Sequence, residues 1–65
     1  MRTRYHVTPL TRDRLTPAQW FDRLDQALPW ARRVANRWRT PLAVWEIRQR
    51  RLRLVRLVQP EPTPA

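Results

Sequence analysis

Cysteine and glycine are absent from this 65-residue chain, and histidine occurs only once, at His6. Without cysteine there is no disulfide, no thiolate metal ligand and no cysteine nucleophile. A single histidine cannot supply the three or four ligands of a protein zinc site, and a chain without glycine has no glycine-rich phosphate loop. We therefore expect no metal, no other cofactor and no small-molecule substrate.

Long apolar runs and catalytic groupings are also missing. The longest uninterrupted apolar stretch, residues 42–45, is far shorter than the roughly 20 residues that span a bilayer, and no apolar segment follows the first residues as in a secretory signal. Asp22 and Asp25 have no third ligand or catalytic partner in the pattern. These absences predict a cytoplasmic binding protein that is neither an enzyme nor associated with membranes.

Positive charge is abundant and unevenly distributed. All 14 basic residues are arginine, and against five acids they give a formal charge of +9. Residues 29–56 hold nine arginines and one acid, Glu46, for a net +8. A domain of about 60 residues buries only about 60% of its unfolded surface. Either its helical packing is unusually good, or a homodimer or a larger protein complex adds stability.

The central segment has a helical pattern. Thr16, Pro17 and Gln19 form a typical helix start with a capping box. Apolar residues then recur every three or four positions, at 20, 21, 24, 27, 28, 31, 34, 35 and 38. This spacing predicts a helix over 17–39, and Pro29 predicts a kink or two abutting helices. Residues 2–7 alternate in polarity, which predicts a short strand at the edge of the sheet.

Residues 42–58 become coherent when they are paired as an antiparallel hairpin. Positions whose numbers sum to 99 give four apolar pairs and one pair of opposite charge: Ile47–Leu52, Trp45–Leu54, Leu42–Leu57, Val44–Val55 and Glu46–Arg53. The turn, Arg48–Arg51, lacks the Asn-Gly chemistry of a tight turn, so we expect a four-residue loop. A helix that continues to residue 58 is the alternative.

The predicted architecture is therefore α+β: a short N-terminal strand, a kinked helix or helix pair, and a C-terminal hairpin. One basic domain is expected over 1–58. Residues 59–65 alternate proline with other residues, which predicts a flexible, disordered tail.

The leading functional hypothesis is a small nucleic-acid-binding accessory or regulatory protein. Arginine forks bind phosphate, so the main contacts are expected from the hairpin residues Arg48, Arg50, Arg51 and Arg53. Arg33 and Arg37 would extend this surface, and Trp30 beside them would stack on a base. The pattern leaves open whether the nucleic acid is DNA or RNA.

A second hypothesis comes from the apolar side chains. The hairpin is apolar on both faces, and one helical layer covers only one of them. We expect the face carrying Leu42, Val44, Val55 and Leu57 to be the uncovered one and to form an interface. The alternative function is thus a protein-interaction subunit or inhibitor that docks on an acidic partner through this face and an arginine rim.

Overall fold

A computed structural model describes residues 2–10 and 15–62 of the chain. It contains one helix and four strands within these ranges: β1 (Arg4–Pro9), β2 (Gln19–Phe21), α1 (Leu24–Trp38), β3 (Leu42–Arg48) and β4 (Arg51–Val58). The strands form one antiparallel sheet in the order β2-β1-β3-β4. The α+β architecture, the N-terminal strand and the C-terminal hairpin agree with the sequence prediction.

Strand β1 lies inside the sheet and not at its edge. It pairs with β2 on one side, where Tyr5 faces Phe21, and with β3 on the other side, where Val7 faces Val44. The expectation of an edge strand was therefore wrong. Strand β1 joins the hairpin to the rest of the fold, because its backbone forms hydrogen bonds with β2 on one side and with the hairpin strand β3 on the other.

Helix α1 begins later than the sequence pattern predicted. Trp20 and Phe21 belong to β2, and the extended residue Arg23 precedes the first helical turn. Thr16 therefore does not cap this helix. Adjacent strand residues point to opposite faces, so Phe21 turns toward the helix and Trp20 toward the other side of the sheet.

The helix packs on the sheet through a seam of small residues. Ala27, Ala31 and Ala35 are four residues apart and fully buried, and Val34 lies beside them. Alanine at these positions lets the helix backbone come close to the strands. Pro29 lies within the single helix, so the alternative of two abutting helices was wrong.

The helix ends at a residue in a left-handed conformation. Arg39 has φ 52° and ψ 43°, and its backbone N–H donates to the Ala35 carbonyl oxygen. The N–H of Thr40 donates to the same oxygen over 3.2 Å. Such a conformation usually belongs to glycine, and this chain uses arginine because it has no glycine.

The predicted hairpin register is confirmed near the turn and wrong farther from it. Ile47–Leu52, Trp45–Leu54 and Glu46–Arg53 pair as expected, but a bulge between Val44 and Trp45 shifts the remaining pairs by one residue. Beyond the bulge the observed pairs are Leu42–Val58, Ala43–Leu57 and Val44–Arg56. The extra residue on β4 at the bulge, Val55, changes which face the following side chains occupy.

The hairpin turn is shorter than predicted. Arg48 pairs directly with Arg51, and the two residues between them, Gln49 and Arg50, have φ values of 52° and 64°. Positive φ at both central positions is the geometry of a type I′ turn, which matches the twist of the two strands. The expected four-residue loop was therefore wrong.

The segment after β4 returns to the helix. The backbone N–H of Glu61 donates to Asn36 Oδ1 over 2.7 Å, and its carbonyl oxygen accepts from Arg39 Nη1 over 2.9 Å. Residues 59–62 form no helix or strand, but these contacts hold the chain at Glu61 against α1. The rest of the predicted tail, residues 63–65, lies outside the described residues.

The helix covers one face of the sheet and leaves much of the other face exposed, although Ala43 on that side is buried. Val7, Leu42, Val44 and Val58 are buried beneath the helix. Alternation along the paired strands assigns the opposite set to the uncovered side, which we call the open sheet face: Arg4, His6, Thr8, Trp20, Ala43, Trp45, Ile47, Leu52, Leu54 and Leu57.

Candidate interaction surfaces

The arginines of the hairpin share the side of the sheet on which the helix lies. Register and alternation place four of them there, and we call this set the arginine row: Arg48, Arg51, Arg53 and Arg56. All four are exposed. Arg50 adds a further exposed charge in the turn. The hairpin therefore has a basic face and an apolar face.

Acidic neighbours compensate little of this charge. Glu46 pairs with Arg53 across the strands, and the nearest Nη2–Oε1 distance is 3.5 Å. The other two salt bridges found in residues 2–10 and 15–62 are Arg2–Asp22 and Arg23–Asp25, away from the hairpin. Arg48 and Arg51 face one another directly, and like charges in such a pair are destabilising. An anion placed between them would relieve this repulsion.

Two cavities lie along the basic side. One, of about 440 Å³, is lined at the turn by Arg48, Arg51 and Arg53 together with Glu46, Gln49 and Leu52. The other, of about 360 Å³, lies where Arg56 of β4 approaches Arg32 and Asn36 of the helix. Arg32 and Arg56 were not among the predicted contacts. They are brought together by the packing of α1 beside β4, for which the sequence gives no direct signal.

The structure does not bring Arg33 and Arg37 to the hairpin turn. Arg37 lies in the last turn of α1, which leads into the start of β3, whereas the hairpin turn lies at the other end of that strand. Six residue steps of about 3.3 Å separate the two ends by roughly 20 Å. The predicted contacts thus form two basic groups and not one continuous patch.

Trp30 is part of the packing around the core. Its ring lies 5.5 Å from that of Phe21, tilted by 58°, and the side chain is half-buried. This contact joins the helix to β2. Trp30 therefore has a packing role, and stacking on a base, which stays a prediction, would use only the exposed part of its ring.

The predicted apolar interface was placed on the wrong face. Leu42 and Val44 are 0% exposed under the helix, so neither side chain is available to a partner. Val55 is half-buried at the bulge. Leu57 remains 44% exposed, and the one-residue shift places it on the open sheet face.

Large apolar side chains do line the open sheet face. Trp20, Leu52, Leu54 and Leu57 are between 44% and 62% exposed, and they surround the half-buried Trp45 and Ile47. Sequence analysis placed Trp20 on the apolar face of the predicted helix, and Trp45 on the hairpin face that the helix was expected to cover. Alternation along β2 and β3 places Trp20 and Trp45 on the open sheet face only once Val7 and Val44 are known to lie under the helix.

One end of this face carries a small aromatic and cationic cluster. The rings of His6 and Trp20 are stacked with centroids 4.0 Å apart and planes 9° apart, and Arg4 Cζ lies 4.8 Å from the Trp20 ring centroid. Burial and, secondly, the positive charge of Arg4 lower the pKa of His6 from its ordinary value of 6.5. Nearby, Trp45 Nε1 donates to Thr8 Oγ1 over 3.2 Å. These contacts fix the orientation of both tryptophans.

No protein-family model matches the chain, and no curated protein or solved structure is significantly similar to it. Within the described ranges, no group of three or more histidine and acidic side chains is arranged to hold a metal ion. The helix of the described chain is neither long nor apolar enough to cross a bilayer.

Proposed function

We propose that this chain is a small cytoplasmic, non-catalytic accessory or regulatory protein that binds nucleic acid through the arginine row and Arg50. The observation that supports this proposal is the row itself, in which exposed guanidinium groups are displayed on one face of a hairpin with one acid beside them. Guanidinium groups bind phosphate oxygens in a bidentate manner, and a two-stranded ribbon fits the major groove of duplex DNA.

The unequal placement of the arginines supports a division of roles. Arg48, Arg50, Arg51 and Arg53 surround the turn and make the main phosphate contacts. Arg37 lies in the last turn of α1, away from the hairpin turn, and Arg33 lies one helical turn before it; they bind only a nucleic acid long enough to follow the same side of the molecule. The hairpin variants should therefore have the larger effect on short oligonucleotides.

The test compares two variants that each lose two positive charges. The hairpin variant is Arg48→Gln with Arg51→Gln, and its matched control is Arg33→Gln with Arg37→Gln on the exposed face of α1. Fluorescence anisotropy measures binding of each protein to short labelled duplex and single-stranded DNA and RNA at several salt concentrations. Circular dichroism checks that both variants are folded.

For duplex DNA, the slope of log affinity against log salt is about −0.9 per phosphate contact. Loss of two contacts should make the slope of the hairpin variant less negative by about 1.8, with the helix control close to the wild type. Equal losses in the two variants would mean that binding reflects net charge alone. Wild-type binding that vanishes for every oligonucleotide near about 0.15 M salt would contradict the proposal.

The alternative function, docking on an acidic protein, meets a geometric difficulty. The arginine row and the apolar side chains of β4 lie on opposite faces of the hairpin. A single partner surface would have to wrap around the edge of β4 to contact both sets. An acidic partner that contacts only the basic face would compete with nucleic acid for the arginine row. Displacement of a bound oligonucleotide by such a protein therefore tests the alternative function directly.

A further inference from the structure

The open sheet face has the composition of an interface. Its four most exposed apolar residues, Trp20, Leu52, Leu54 and Leu57, are 45%, 62%, 49% and 44% exposed. Leu52, Leu54 and Leu57 follow one another along β4, and Trp45 and Ile47 lie beside them on β3. Trp20 lies across the sheet on β2, in line with His6 and Trp45. Contiguous apolar surface on a small protein marks a site of association.

We infer that a second copy of this chain covers the open sheet face, so that the two sheets pack face to face as a sandwich. This inference goes beyond the proposed function, which uses the opposite side of the hairpin. The two protomers would be related by a two-fold axis, and each would present the same surface to the other.

The charges on this face argue against other occupants. Among the paired strand residues that the structure describes, Arg4 is the one charged residue on this face and no acid is placed there; the Arg4 guanidinium already lies over Trp20. An acidic protein would find its counter-charges on the other side of the sheet. A nucleobase would have to displace His6 or Arg4 from the Trp20 ring. A largely apolar surface is the better complement, and a second copy provides one.

The size of the face fits a small dimer. Four strands of three to eight residues, with a spacing of about 4.8 Å between strands, give roughly 400 Å² of area per protomer. Two such faces, with side-chain relief added, reach about 1,000 Å², the lower bound of specific interfaces. We therefore expect a dimer that dissociates at micromolar concentration and not an obligate assembly.

Face-to-face packing also suits the position of the arginines. It buries the apolar side of each hairpin and leaves each arginine row on an outer surface of the dimer. The two arginine rows then lie at least the thickness of two sheets apart, and sheets pack about 10 Å from each other. At that separation, salt near physiological strength screens most of their repulsion.

Successive residues of β4 provide matched variants for the test. Leu52 and Leu54 lie on the open sheet face, and Arg51 and Arg53 lie on the other. The test variant is Leu52→Gln with Leu54→Gln, and the control is Arg51→Gln with Arg53→Gln. All four side chains are exposed in the single chain, so neither variant should disturb the fold of the protomer, and circular dichroism verifies this.

Sedimentation velocity on nucleic-acid-free protein measures the association from about 1 to about 200 µM, at about 0.3 M NaCl to screen the net charge. The wild type should shift from 8.0 kDa to about twice that mass, and the arginine control should behave in the same way. The leucine variant should have a dissociation constant raised at least about tenfold. A wild type that remains monomeric at the highest concentration would overturn the inference.

The tryptophan side chains report which face is buried. In heteronuclear spectra of ¹⁵N-labelled protein, the indole signals of Trp20 and Trp45 should move with concentration, and those of Trp30 and Trp38 on α1 should not. Movement confined to the helix tryptophans would place the interface elsewhere and overturn the inference. The inference would also be overturned if an oligonucleotide shifted the indole signals of Trp20 and Trp45 and dissociated the dimer, because nucleic acid would then occupy the open sheet face. Loss of oligonucleotide binding with an intact dimer would contradict only the proposed function.

Discussion

Replacing Arg50 by glycine should stabilise the protein, because the hairpin turn holds two residues in a conformation that their Cβ atoms disfavour. Gln49 and Arg50 have φ of 52° and 64°. A left-handed conformation costs a residue with a Cβ atom about 1–2 kcal/mol, whereas glycine adopts it freely. Glycine also costs about 0.5–1 kcal/mol in unfolded-chain entropy. The expected net gain is about 0.5–1 kcal/mol, or roughly 2–8 °C in Tm for a domain of this size.

The assay is thermal and urea unfolding, followed by circular dichroism at one fixed protein concentration so that self-association contributes equally to each variant. Arg50→Ala is the matched control, since it removes the same charge but retains the Cβ atom. Relief of charge repulsion would stabilise both variants, and relief of backbone strain would stabilise only Arg50→Gly. An alanine variant as stable as the glycine variant would refute the argument from backbone conformation.

Two further predictions concern the core and His6. Ala31→Leu should lower the free energy of unfolding by about 1–3 kcal/mol, because Ala31 is 0% exposed where the helix approaches the sheet. Urea unfolding measures this change, and Arg33→Leu on the exposed side of the helix is the control. Equal destabilisation by the two substitutions would contradict the close packing at Ala31. Because the folded state lowers the pKa of His6 from 6.5, the unfolded chain binds more protons around and below that pH, so stability should fall as pH decreases from about 7.5 to about 5.5. Within the described strands, Arg4 is the one charged group beside His6 on its face, with the uncharged Trp20 and Trp45 on the neighbouring strands. Urea midpoints at the two pH values should differ in the wild type and differ less in His6→Gln; an identical pH dependence in that variant would assign the effect to other groups.

The sequence was sufficient for the elements whose partners are close in the chain. The pairing of Trp45 with Leu54 and of Glu46 with Arg53 followed from complementarity across one turn. The helix over Leu24–Trp38 followed from apolar residues every three or four positions. Trp20 and Phe21 continue that spacing, so their membership of β2 was not predictable from periodicity. It depends on hydrogen bonds to β1, which lies more than ten residues earlier.

The sequence predicted which hairpin residues share a face, but not which of the two faces lies against the helix. Alternation separated Trp45 and Leu54 from Val44 and Leu42, but it did not say which set the helix would cover. That choice follows from β1, whose fully buried Val7 lies beside Val44. The bulge that moves Leu57 to the open sheet face adds one residue to β4, which simple alternation does not anticipate. For this reason the arginine row was largely foreseen and the apolar interface was misplaced.

The arginine row also has a consequence for the free edge of the sheet. Strand β4 is eight residues long, rich in leucine and valine, and has no neighbour on its outer side in the four-stranded order. Such an edge tends to recruit further strands and to start fibres. Addition of an identical strand in parallel register would stack each arginine on its own copy about 4.8 Å away. This repulsion opposes open-ended growth at β4 and acts as a charged gatekeeper against aggregation. Counter-ions that neutralise the arginines weaken that protection.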